Sequence, residues 1–163
     1  VTPEGDPVPT GMLGRFGGNM DNTMMREGAT LFLPVFVEGA LAAVGDVHAR
    51  MGDGEINCSA IEAPAFVTLT FKVRKDLKIQ NPILVTNEHF CTISSEESLD
   101  CAADTCVDEM ALILKDRMDM AFDDISMLMS AVGHLQICQT VSPLKTARYL
   151  MPLDVLKSCG FSF

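Results

Sequence analysis

Apolar and polar residues alternate most regularly between Phe66 and Val73. Val67, Leu69, Phe71 and Val73 fall on one side of an extended chain there, and Thr68, Thr70 and Lys72 on the other. The pattern predicts a half-buried β-strand. Leu31 to Val37 also has strand composition, but Pro34 has no N–H to give a ladder and confines such a strand to an edge, an end or a bulge. Pro82 to Thr86 and Phe90 to Ile93 are shorter strand candidates. The first 22 residues carry Pro3, Pro7 and Pro9 among closely spaced glycines and read as loop.

The period changes at Ser98. A helix is predicted from there, with Ser98 as its N-cap, Asp100 in its first turn and apolar residues at Leu99, Ala102, Ala103, Cys106, Met110, Ile113 and Leu114. Lys115 and Arg117 suit its last turn, where the helix dipole favours cations. A second helix, capped near Asp123, places Ile125, Leu128, Met129 and Val132 on one face before Gly133 stops it, and the two helices should form a hairpin. Leu135 to Val141 then reads as a strand, Pro143 to Tyr149 as a loop or short strand, and Pro152 to Ser158 as a short helix ended by Gly160. The shift from strand-like to helical periodicity divides the chain into a β-rich region, 1–94, and an α+β region, 95–163.

Composition narrows the range of functions. At 163 residues there is room for one core, with 48% of positions hydrophobic, which rules out a disordered chain. Acids outnumber bases 22 to 12, for a net charge of −10, and the only basic cluster is Lys72, Arg74 and Lys75, so a nucleic-acid footprint is absent. No apolar run approaches the roughly 20 residues of a membrane-spanning helix, and Val1 opens no signal-peptide pattern, so the chain is expected to be soluble and not secreted. Six cysteines without a C-x-x-C pair fit reduced thiols in a cytoplasmic protein better than disulfides or a cysteine zinc site. The 11 methionines read as core or interface filling, and His89 as a surface residue.

The candidate chemistry lies among glycines. Between Gly45 and Glu55 the chain runs Gly-Asp-Val-His-Ala-Arg-Met-Gly-Asp-Gly-Glu. Asp46 and His48 are two apart, as are Asp53 and Glu55, so in an extended backbone each pair leaves one face together. With Asp21, which follows Gly17-Gly18-Asn19-Met20, these residues offer the oxygen and nitrogen donors that a divalent ion such as zinc accepts. Acids beside glycines are more often turn residues than ligands, so spacing alone does not decide. The segment is not an EF-hand loop, and Gly14-Arg15-Phe16-Gly17-Gly18 lacks the spacing of a phosphate-binding loop.

Taken together, Gly17-Gly18-Asn19-Met20-Asp21, Leu33-Pro34-Val35, Glu38-Gly39-Ala40-Leu41, Gly45-Asp46-Val47-His48-Ala49 and Gly52-Asp53-Gly54-Glu55 closely resemble the signature of the acetamidase/formamidase family. The resemblance continues through Ala60-Ile61-Glu62 and Ser98-Leu99-Asp100 to Leu135-Gln136-Ile137-Cys138-Gln139 and Pro143-Leu144-Lys145-Thr146. Departures occur at His134, Met151 and Asn57-Cys58; Cys58 reads as a small core residue rather than a thiol nucleophile.

That resemblance implies a mainly β fold with an α+β part: a β-sandwich or barrel-like half of the family fold followed by two helices and strands. It implies hydrolysis of formamide, acetamide or similar short amides to ammonia and a carboxylic acid, by a homo-oligomer or in association with an N-terminal half that this chain lacks, since family members run to roughly 300 residues. The roles expected on this basis are Asp21, Asp46 and His48 as metal ligands, Glu55 as general base and then proton donor, and Asn19 and Asp53 orienting the amide. Zinc is the expected ion, with calcium as a further one. The rival expectation is a non-catalytic module, or an incomplete fragment of the amidase, whose acids hold an ion for stability alone.

Overall fold

A computed structural model describes residues 1–163. Its centre is a five-stranded antiparallel sheet in the order β3 (Thr30–Phe32), β6 (Ile83–Val85), β7 (His89–Glu96), β9 (Lys145–Pro152), β8 (His134–Gln139). Three helices accompany it: α1 (Leu99–Arg117), α2 (Phe122–Val132) and α3 (Leu153–Ser158). Two small ribbons complete the β structure, β1 (Leu13–Gly14) with β2 (Gly17–Gly18) and β4 (His48–Arg50) with β5 (Ile61–Glu62). The chain is thus β-rich with a smaller helical part, and its main sheet draws strands from both sides of position 94. No helix is long and apolar enough to cross a membrane.

The sheet buries both faces. Alternate residues of β7 and β9 divide between them: Phe90, Tyr149 and Met151 pack with Cys106, Met110, Leu114 and Leu156 on the helical side, while Cys91, Ile93 and Leu150 pack with Met20 on the other. A strand buried on both faces loses its hydrophobic alternation. For that reason Phe90 to Ile93 looked weak in sequence, and Pro143 to Tyr149 was expected to be a loop or short strand. The structure corrects the second expectation: β9 is an eight-residue strand at the heart of the sheet.

The helices form where the periodicity predicts. Ser98 caps α1 by accepting from the Cys101 N–H at 3.1 Å. The start of α2 has no side-chain cap; Asp123 and Asp124 lie in its first turn instead, favourable to the dipole. Gly133 ends α2 with an ordinary negative φ of −81°, so its small size has another cause. A Cβ there would overlap the Tyr149 phenol, whose hydroxyl donates to Met129 O at 2.7 Å.

Two strand expectations fail. Leu31 to Val37 shrinks to Thr30–Phe32 at the sheet edge, stopping just short of Leu33-Pro34, where the missing N–H would break the ladder. Phe66 to Val73 is not a strand. No strand pairs with it, and its apolar side chains are exposed.

Candidate functional site

The candidate cavity is built from four segments that the fold brings together. The β1–β2 ribbon delivers Asn19 and Asp21. Gly18, with φ of +80°, is required where a Cβ would strike Met12 O. The β4–β5 ribbon delivers His48 opposite Glu62 in register. The loop Gly52–Glu55 is fastened to the far edge of the main sheet, because Gly54 N–H donates to Cys138 O at 3.0 Å and Thr140 Oγ1 donates to Gly54 O at 3.1 Å. Ser142, after β8, receives the Asn19 Nδ2 donor at 3.2 Å.

These segments line one small cavity of about 240 Å³, walled by Asn19, Asp21, Asp46, His48, Glu55 and Glu62 with Ser142 and Cys58 beside them. The His48 side chain is only 10% exposed, and its Nε2 lies 3.0 Å from Glu62 Oε1 and 3.4 Å from Asp46 Oδ1. Ligating atoms of Asp21, His48 and Glu55 lie within 4.8 Å of one another, as do those of Asp46, His48 and Glu62. The imidazole is therefore common to two carboxylate pairs.

Asp21 and Glu55 face each other in the less exposed part of the cavity. Burial, then the neighbouring Glu55 carboxylate, push the Asp21 carboxyl up to about 7, opposed by nearby His48. Asp21 Oδ2 and Glu55 Oε2 are both buried without a hydrogen-bond partner. An orphaned buried carboxylate oxygen is costly unless protonated or paired with a cation. Asp21, Asp46 and Glu55 also hold positive φ angles of 48°, 59° and 24°, a conformation that non-glycine residues adopt at a cost. Ala40, Leu41 and Cys58 share this conformation.

Asp53 stands apart from its expected role. It does not line the cavity; Oδ1 accepts from Thr23 Oγ1 at 2.7 Å and Oδ2 pairs with Arg148 Nη2 at 2.6 Å, so both oxygens are engaged outside it. Arg148, 2% exposed in β9, is a residue that sequence reasoning missed. Its Nη1 also donates to Asn22 Oδ1 at 2.6 Å and to Thr23 Oγ1 at 3.2 Å, and its Nη2 and Nε to Gln136 Oε1 at 2.6 and 2.9 Å. One guanidinium thus ties the loop carrying Asp21 to the loop carrying Glu55. Glu62 was also unassigned as a ligand; the β4–β5 register that reveals it could not be read locally.

The cavity, set against an antiparallel sheet, thus gathers carboxylates and one imidazole, groups whose chemistry is to hold a cation or to move a proton. The profile of the Acetamidase/Formamidase family matches residues 9–143, and the chain belongs to that family. It is similar over 97% of its length to a Bacillus halodurans acetamidase of known structure, with 42% identity and a TM-score of 0.93. A protein described as a predicted acetamidase/formamidase from the thermophile Thermoanaerobacter tengcongensis matches over 99% of the chain, with 45% identity and a TM-score of 0.94. An acetamidase of Mycolicibacterium smegmatis is 50% identical over 54 residues, 32% of this chain and 13% of that protein. The chain spans 54% of either solved relative, about half their length.

Proposed function

We propose that this chain carries the acid and imidazole groups of a short-chain amidase site, acting on formamide, acetamide or similar amides, with the remainder of the family fold completing the enzyme. The observation that carries the reading is the facing pair Asp21 and Glu55, each with a buried unpartnered oxygen beside His48. A mixed imidazole and carboxylate donor set suits a divalent ion, zinc foremost; Asp46, His48 and Glu62, whose donor atoms converge, would hold it and leave Glu55 free, whereas Asp21, Asp46 and His48, the set expected from the sequence, do not converge as one group. Bound there, the ion would supply polarisation of an amide carbonyl and acidification of water.

Glu55 is the proton carrier in this reading. Its free oxygen takes a proton from the attacking water and returns it to the departing ammonia, so the carboxylate ends as it began. Asn19 remains near the substrate, held by Ser142 with its carbonyl oxygen free to accept from an amide N–H. Asp53 acts through Arg148 and Thr23 as a strut for the Glu55 loop.

Ammonia release from formamide and acetamide tests this, with the chain assayed alone and beside the part of a solved relative that it does not span. Turnover should vanish with chelator and return with zinc. Glu55→Gln should lower kcat at least about a hundredfold, the scale of a lost general base, with zinc affinity changed far less. Parent-level turnover in Glu55→Gln, or no ammonia from any combination, would overturn the reading.

A further inference from the structure

The alternation at Phe66 to Val73, left without a sheet, requires an explanation. Phe66 is fully exposed, Phe71 is 72% and Val73 82% exposed, and Val67 and Leu69 are each 49% exposed. No backbone N–H or C=O from Ala65 to Val73 has a hydrogen-bond partner anywhere in the chain. An apolar, extended and unpaired segment of this length is a template for strand addition, a liability that folded proteins cover. Its periodicity of two is that of a strand with one buried face.

We propose that Phe66–Val73 is the docking edge through which this chain joins the part of the family fold it does not span, adding as a β-strand to a sheet of that complement. The two solved relatives share this chain's backbone over 97% and 99% of its length and are nearly twice as long, so the complement exists wherever this fold is seen whole. Ile56 and Ile61, next in sequence to the cavity residues Glu55 and Glu62, are exposed as well, at 87% and 59%. Charge gives the contact a direction. Lys72 near the end of the segment and Lys75 and Lys78 beyond it are bases outside any ion pair, while Arg74 is paired with Asp76, so the complement should present acids to the three lysines. A second copy of this chain carries the same basic end and would oppose like charges if paired in parallel.

The proposal rests on family membership and does not need the amidase reading; binding and ammonia release can fail independently. The test co-expresses the full chain with the portion of the Bacillus halodurans acetamidase that it does not span, and follows co-purification and hydrogen exchange. Amides 66–73 should exchange at unprotected rates in the free chain and at least a hundredfold more slowly in the complex. Leu69→Asp with Phe71→Asp should weaken association at least a hundredfold while protection in β7 and β9 stays unchanged. Thr70→Pro, which removes one ladder N–H and keeps the apolar face, should weaken it as a second variant. The proposal is overturned by failure to co-purify, by a complex in which 66–73 remains unprotected, by variants that bind like the parent, or by protection from self-association alone.

Discussion

Replacing Arg148 offers the sharpest check on how the site is held. In Arg148→Met the flexible apolar side chain fills part of the space but donates nothing, so Asn22 Oδ1, Thr23 Oγ1, Asp53 Oδ2 and Gln136 Oε1 all lose a donor. Breaking a buried charge pair costs about 3–5 kcal/mol when the surviving charge stays buried. Asp53 is 40% exposed and water can reclaim it, which moves the loss to the low end, about 3 kcal/mol. For a domain of this size that lowers Tm by roughly 6–12 °C. Arg148→Lys keeps the charge and loses the fork, and should cost about 2 kcal/mol. Urea unfolding supplies the stability, and hydrogen exchange at Asn22–Thr23 and Gly52–Glu55 shows whether the two loops loosen together. A double-mutant cycle with Asp53→Asn should return a coupling of about 1–2 kcal/mol. If Arg148→Met unfolds within about 0.5 kcal/mol of the parent, or loosens only one loop, the guanidinium does not tie them and the positions of Asp21 and Glu55 are set otherwise.

Two further outcomes are expected. Gly133→Ala should destabilise by about 3 kcal/mol, because the new methyl overlaps the Tyr149 phenol, and adding Tyr149→Phe should restore only part, since the ring carbon remains in the way; thermal unfolding measures both. In the absence of divalent cation the folded chain holds a proton on Asp21 that the unfolded chain releases, so this group's contribution falls as pH rises from 3.8 to about 7. Urea midpoints at pH 4.5 and 7.5 should therefore differ in the parent by more than in Asp21→Asn, with the parent relatively weaker at the higher pH, and an identical pH dependence in the two would refute the buried-proton assignment.

How far the sequence disclosed this arrangement depended on where each signal resides. Ser98, Asp100 and the spacing from Ala102 to Leu114 are local, and α1 appears where they place it. The glycine-flanked acids were legible by position but not by geometry: Asp46 has a φ of 59° in place of extended backbone, and Glu55 lines the cavity while Asp53 does not. Arg148 was not, because its partners Asn22 and Asp53 lie 126 and 95 residues away; its one local trace is a charged residue set in the run Thr146-Ala147-Arg148-Tyr149-Leu150. Glu62 became a neighbour of His48 only through strand pairing. At Phe66 to Val73 the alternation predicts a half-buried strand that the chain does not form, because a pattern in one segment carries no information on whether a partner strand exists in the same chain.

The left-handed backbone at Asp21, Asp46 and Glu55 sets stability and chemistry against each other at the same positions. Glycine would relax each of them without strain. Directed evolution selected only on heat resistance would be drawn toward glycine there, and each such gain would strip a charge from the cavity. Selection for turnover, in contrast, must retain acids in the less comfortable conformation.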